Sequence, residues 1–361
     1  MSDDTLRLEP LVVPASLDDA GAGPFLEYVR LDNAVCRDDT GHDGLEKDAA
    51  EVWGFWRARE DWEHIGVRAV RDGRTLGVCA MTVSTAPGTA TMEYDLVVDP
   101  GAWGDGVEEA LAQAAEDEAR SRGLRSLHTW TLHRPDAPGP AVVPSTGFGT
   151  APVEHRHVRL LTGRGYSLEQ VERTSAFDLH GSFEAVERLL AEALPHVGPD
   201  YRREQWGART PDAYVDAFAH AISRMSTDAP QGGLDIEEQH WDAERVRRRE
   251  KRLADQGLTT SVAAVIHEPT GAVAAYNELA IGGDGSGVTQ QYGTLVLREH
   301  RGRRLGTIVK ADNLLRWRTI APLSPRVTTF NAEENRPMLS INEALGFVPV
   351  SYAGAWKLTL A

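Results

Sequence analysis

The chain has only two cysteines in 361 residues, Cys36 and Cys79. Two thiols cannot build a disulfide framework, so the small disulfide-stapled secreted scaffolds are excluded. Neither thiol sits in a nucleophile motif, and both read as buried structural residues. No apolar run approaches the ~20 residues that span a membrane. The opening stretch, MSDDTLRLEP, is acidic and lacks the basic-then-apolar order of a signal peptide. The expectation is a reduced, cytoplasmic setting and no membrane association. Positive charge is also scarce: 38 Lys and Arg face 54 Asp and Glu, a net charge of −16. Nucleic-acid binding wants an extended basic surface, and none is expected here. An acidic surface attracts cations, which suits an amine as ligand. Metal-ligand spacing is missing too. HEPTG has one histidine without a companion, and EHRH (Glu154–His157) closely follows a Pro- and Gly-rich insertion, so no metal is expected.

What is present is a repeat. MEYDLVVDPGAWGDGVEEAL (Met92–Leu111) aligns with QQYGTLVLREHRGRRLGTIV (Gln290–Val309) at one offset of about 198 residues. Tyr94 falls on Tyr292, Val98 on Val296, Gly104 on Gly302 and Val107 on Leu305. Upstream, Asp72–Ser84 pairs with Pro269–Ile281, each a strand after a turn signal. Downstream, Leu161–Leu179 pairs with Asn342–Leu360, each a helix end, a Gly-aromatic break and an alternating strand. The sequence therefore reads as two copies of one α/β (α+β) unit, residues 1–180 and 181–361, with the boundary near His180–Gly181. The first copy carries an extra Pro/Gly-rich segment, His133–Pro152, which reads as a loop. Two helices can be placed in the second copy. One is capped by Thr210 with Pro211 at its first position, and turns Tyr214, Phe218, Ala221, Ile222 and Met225 to one side. The other runs from Asp242 to Gly257 with an Arg-rich solvated face.

The stretch REHRGRRLGTIVKADN (Arg298–Asn313) concentrates positive charge in an acidic chain. A β-rich run, Thr294–Leu297, leads into a glycine-containing turn and then a helical pattern. Amides of a first helical turn lack intrahelical partners and sit at the positive end of the dipole. Strand, loop and helix start in this order make an anion site, with diphosphate as the natural ligand. A plain surface turn is the other reading of such a loop taken alone. About 25 residues on, Arg326–Phe347 reads as a strand ending at Asn331, then a helix starting at Asn335 and ending in Gly-Phe.

Together these features resemble the GCN5-related N-acetyltransferase (GNAT) superfamily, whose loop reads Gln/Arg-x-x-Gly-x-Gly/Ala. Arg301 fills the first position and Gly306 the last, while Arg304 replaces the middle glycine. The resemblance covers both halves and implies two tandem GNAT-fold domains, each a mixed, mostly antiparallel twisted sheet flanked by helices. It implies acetyl-CoA as co-substrate of the second copy. The diphosphate would lie on the amides of Arg301, Gly302, Arg303, Arg304, Leu305, Gly306 and Thr307. Pantetheine would pair with the backbone of Leu295, Val296 and Leu297, and Asn331 and Asn335 would supply amide hydrogen bonds. As arginine, residue 304 is expected to take an ordinary backbone conformation and point outward. In the first copy Trp103 and Glu108 replace the outer loop residues. A carboxylate there satisfies the dipole itself and repels a diphosphate, so that copy is expected to bind no CoA.

Acid–base residues are less legible. The family's fourth-strand glutamate corresponds to Gln290 and Gln291, with Glu93 opposite Gln291 in the first copy. Glu278 is the candidate base of the second copy. The family's thiolate-protonating tyrosine is Asn342 here, leaving Tyr292 and Tyr352 as substitutes. The link Ser223–Trp241 is a candidate wall of the acceptor pocket through Met225, Asp228 and Trp241. The expected function is direct transfer of an acetyl group to a small-molecule amine, in a monomer with an internal pseudo-dimer or in a homodimer. The alternatives are a CoA-binding sensor without turnover, and a protein N-acetyltransferase.

Overall fold

A computed structural model describes residues 5–236 and 239–360. The chain divides into two compact units. The first holds Met1–Glu172, Gln231–Ile236 and Ser351–Ala361; the second holds Arg173–Pro230 and Glu237–Val350. The division falls between Glu172 and Arg173, inside a strand, rather than at the turn near His180–Gly181. The last strand also changes unit.

In the first unit the order is β1 (Arg7–Pro10), α1 (Gly23–Thr40), α2 (Ala49–Arg57), β2 (Trp62–Arg71), β3 (Arg74–Ser84), β4 (Thr91–Val98), α3 (Val107–Ser121) and β5 (Ser126–His133). A small hairpin, β6 (Ala141–Val142) and β7 (Ala151–Pro152), lies within the Pro/Gly-rich segment. Then come α4 (Arg156–Gly163) and β8 (Ser167–Asp178), which begins in this unit and ends in the next. The β2–β3 turn puts Asp72 and Gly73 both at positive φ, as a two-residue hairpin loop requires. Strands β1 to β5 pair in sequence order, antiparallel except β4 with β5. Side chains alternate across β3. Cys79 and Met81 face the core under α3, while Val78 and Ala80 face α1 and α2. Full burial of one large side chain such as Leu111 or Phe25 contributes about 1.5–3 kcal/mol.

The second unit continues with α5 (Glu184–Ala193), β9 (Tyr201–Trp206), α6 (Val215–Asp228), α7 (Ala243–Asp255), β10 (Thr259–His267), β11 (Ala272–Ile281), β12 (Thr289–Val296), α8 (Leu305–Ile320), β13 (Arg326–Ala332), α9 (Arg336–Leu345) and β14 (Val348–Thr359). Strands β9 to β13 pair in sequence order, again antiparallel except β12 with β13. From Tyr352 to Thr359, β14 pairs with β5 and belongs to the first unit. Each unit thus carries a mixed, mostly antiparallel sheet flanked by helices.

Most local signals are realised. Asp242 caps α7, accepting the Arg245 N–H at 2.7 Å. Phe218 and Ala221 are buried on α6, with Tyr214, Ile222 and Met225 packed beside them. That helix starts later than the Thr210–Pro211 signal, with Tyr214 as its cap residue. Thr210 N–H instead donates to Glu250 on α7 at 2.8 Å, which fixes it before the helix begins.

Candidate functional site

A parallel pair that opens into a fork recurs in both units. In the second, β12 and β13 stay in register only at Thr289–Val327 and Gln290–Thr328. Beyond that point the β13-facing edge of β12 is out of the ladder. The β11–β12 register also shifts: Glu278 opposes Gly293 and Leu279 opposes Gln291, leaving Tyr292 as the extra residue of a bulge. No such shift interrupts β3–β4 between Gly77–Val98 and Thr82–Glu93 in the first unit.

The loop after β12 forms one 3₁₀ turn at Arg298–His300 and enters α8 at Leu305. Gly302 has φ 82° and Arg304 has φ 57°. The expectation for Arg304 is therefore corrected. It occupies the left-handed region, as Gly104 (φ 87°) and Gly106 (φ 81°) do in the first unit. The helix entry dictates this geometry, and the arginine accepts strain of about 1–2 kcal/mol that a glycine would not carry. Its side chain is exposed.

The two loops differ in what fills them. In the first unit Glu108 Oε1 accepts the Gly104 N–H at 2.7 Å, and its buried Oε2 has no hydrogen-bond partner among the described residues. The equivalent position in the second unit is Gly306. A Cβ there would lie 3.1 Å from Ile341 Cδ1 and 3.5 Å from Val296 Cγ2, so the space is small as well as uncharged. Around this loop Arg301 donates to the carbonyls of Val296 and Asp228, each at 3.2 Å. Arg303 donates to the Arg301 carbonyl and lies over the Tyr201 ring. His300 is buried beside the Tyr201 hydroxyl, and burial, aided by His267, lowers its pKa.

Of the three residues expected to pair with pantetheine, Leu297 gives its N–H to Ala274 on β11 at 2.9 Å. Strand alternation turns Leu295 the same way and leaves Val296 facing the fork. Leu305 is in the core, and Thr307 is half-buried on α8. Asn331 accepts from Asn342 Nδ2 at 2.7 Å. Asn335 precedes α9 and caps it through its backbone only.

The catalytic candidates fare differently. Glu278 is buried and both its oxygens are held by Arg249, at 2.9 and 2.7 Å. Burial opposes the Arg249 charge, but the Glu278 charge and its hydrogen bonds outweigh it and raise the pKa of Arg249. Both carboxylate oxygens are thus taken up by one ion pair. Tyr292 sits at the bulge, half-exposed, with the Arg249 guanidinium 5.9 Å from its ring. Tyr352 belongs to the first unit and packs against that unit's core. The strand exchange puts it there, and nothing in the repeat pattern announces an exchange. Within the Ser223–Trp241 link, Met225 and Trp241 pack against the α6 core. Asp228 is enclosed and paired with Arg224 at 2.6 Å. Gln231–Ile236 joins the first unit, and Glu237 and Glu238 lie outside the described residues.

The structure also buries charged and titratable groups to which the sequence assigned no role. Lys310 on α8 is buried with its Nζ 2.6 Å from Gln291 Oε1. In the first unit Glu93 is pushed up to about 7 by burial, then by Asp95 and Glu172, and Asp95 to about 6 by burial and Asp32. His133, His155, His157 and Asp39 also gather there. Among the described residues no group of three or more His, Cys, Asp or Glu side chains is placed to hold a metal. No helix is long and apolar enough to cross a membrane.

Residues 30–139 match the Acetyltransferase (GNAT) family. This segment lies in the first unit, the copy whose loop holds the Glu108–Gly104 hydrogen bond. No curated protein matches the chain. Among solved structures, a tandem GNAT protein from the clavulanic acid biosynthesis pathway (without AcCoA) is 23% identical, covers 98% of each chain and has a TM-score of 0.74. A GCN5-related N-acetyltransferase from Sphaerobacter thermophilus is 13% identical over 99% of this chain and 97% of its own, with a TM-score of 0.64. A glucosamine N-acetyltransferase region of a fungal multi-domain GH3 β-N-acetylglucosaminidase is 14% identical over 99% of this chain and 38% of its own, at 0.61. These likenesses establish architecture. Residues 30–139 therefore match the acetyltransferase (GNAT) family, and the chain has from end to end the fold of a tandem GNAT protein.

Proposed function

We propose that the second unit binds acetyl-CoA and transfers its acetyl group to an amine of a small molecule. The family match supports acyltransferase activity in general. The observation that carries the finer reading is the pair Glu108 and Gly306. One loop brings its own carboxylate to the helix-entry amides, and the other leaves the same amides open to an anion. The residues fit the diphosphate of CoA. Amides of Gly302 to Thr307 would hold it, with Arg301, Arg303 and Arg304 adding charge. The exposed edge of β12 at Val296 would take the pantetheine arm as an added strand, once Arg301 released the Val296 carbonyl.

The reaction needs a neutral amine, a stabilised oxyanion and a proton for the departing thiolate. The bulge at Tyr292 interrupts the β11–β12 ladder beside the fork. With Glu278 held by Arg249, catalysis would rest on positioning more than on a strong base. The acidic chain favours cationic acceptors. The same ion pair supports a second reading, a CoA-binding protein without turnover. Thermal shift with acetyl-CoA, paired with thiol release over a panel of small amines, separates the two. Stabilisation with thiol release supports transfer, and stabilisation with no release for any amine supports the sensor. The absence of stabilisation removes both.

A further inference from the structure

Lys310 stands in the second turn of α8 with its side chain 1% exposed. Lysine is almost never fully buried unless paired, and an unpaired buried amine marks a place where the charge is used. The carboxylates on the packed elements are engaged elsewhere. Asp312 on α8 meets Arg203, Glu278 on β11 meets Arg249, and Glu343 on α9 meets Arg173. On α5, Glu187 meets Arg318, Glu192 meets Arg188, and Glu184 is exposed. The only charged or titratable residues otherwise on β10, β12 and α9 are His267, Tyr292 and Arg336, and Arg336 pairs with Glu333. Burial alone pulls the Lys310 amine down to about 7.

Its partners lie at the base of the fork. Lys310 Nζ donates to Gln291 Oε1 at 2.6 Å and lies 5.0 Å from the Phe347 ring. Gln291 Nε2 in turn donates to Thr329 Oγ1 at 2.6 Å. Gln291 follows the last ladder pair, Gln290–Thr328, so α8, β12 and β13 are tied together where the strands part. An amide Nε2 carries two hydrogens. One goes to Thr329, and the other remains for an acceptor in the fork. A donor on Gln291 Oε1 polarises that amide and strengthens the remaining N–H. Methionine would fill the volume of the Lys310 side chain at lower desolvation cost.

We propose that Lys310 is a positioning residue for acyl transfer in the second unit, holding and polarising Gln291 so that its free N–H meets the thioester oxygen. This rests on the reading of that unit as an acetyl-CoA site. The experiment measures calorimetric affinity for CoA and acetyl-CoA, and thiol release from acetyl-CoA without added acceptor between pH 5.5 and 9. Lys310→Met should keep its CoA affinity within about twofold and lower thiol release at least tenfold. It should also lose the wild-type inflection near pH 7. Gln291→Leu should match it, and the double variant should be no worse than either single one. Unchanged rate and pH profile in a Lys310→Met protein that binds CoA normally overturns the proposal. If Lys310→Met does not fold, Gln291→Leu decides: a retained rate or inflection overturns it. A wild-type protein that binds no CoA fails the underlying reading before any variant is made, whereas a lost proposal leaves CoA binding intact.

Discussion

Glu108 Oε1 sits 2.7 Å from the backbone nitrogen of Gly104, closing a helix entry with a carboxylate from its own second position. The bond satisfies an amide that no helical carbonyl can reach, and it places a negative charge at the positive end of α3. Glu108→Ala should therefore destabilise the chain by about 1 kcal/mol, the usual cost of losing a cap. Urea unfolding at pH 7 measures it. On the proposal that CoA binds the second unit's loop, its affinity should not change.

Arg304→Gly should stabilise the second unit. The left-handed φ of 57° costs an arginine about 1–2 kcal/mol. Glycine's freer unfolded chain takes back about half of that gain. A net rise of roughly 0.5–1 kcal/mol in unfolding free energy is expected, with Arg304→Ala showing no such gain. Equal effects of glycine and alanine would mean that the backbone strain is not the cause.

Arg249→Met should be far more damaging than the pair's removal. It strands the buried Glu278 carboxylate, a loss on the order of 3–5 kcal/mol, whereas Arg249→Met with Glu278→Gln should recover most of it. A double-mutant cycle by denaturant unfolding gives the coupling. If Glu278→Gln alone abolished thiol release while leaving stability and CoA affinity intact, Glu278 would be a base after all.

Acid should weaken the first unit through its histidines. Burial lowers His133 to about 3 and His157 to about 4, against an ordinary value of 6.5. Folded chains keep these rings neutral where unfolded chains protonate them. Stability from this source is complete above pH 6.5 and is lost as pH falls from 6.5 toward about 3. Glu93 and Asp95, raised by burial, act in the opposite sense, losing stability as pH climbs from about 4 toward 7. A His133→Leu comparison isolates the histidine part: the wild type should lose more stability than the variant between pH 7 and 5. Equal losses would contradict it.

The duplicated order of strands and helices is readable because each unit repeats the same turn and cap chemistry. Asp72–Gly73, Asp242 and Gly346 each force a local geometry that survives in the fold. The blocked first loop is readable for the same reason, since a carboxylate at a helix entry has one natural partner. The sequence does not show that Tyr352 changes unit. Strand exchange is set by pairing over long sequence distance, not by local pattern. Lys310 is hidden because α8 is buried nearly all round over its first turns. No polar face is left there to show that a lysine has turned inward. Arg249 reads as one more arginine on a basic helix until its carboxylate partner on β11 is seen.

The most direct test counts CoA sites by calorimetry on the full chain. One site per wild-type chain is predicted, with Gly306→Glu lowering its affinity on the order of 100-fold, about 2.7 kcal/mol. The added carboxylate both repels the diphosphate and crowds Ile341. Two sites in the wild type, or one that Gly306→Glu leaves intact, would contradict the assignment of acetyl-CoA to the second unit alone.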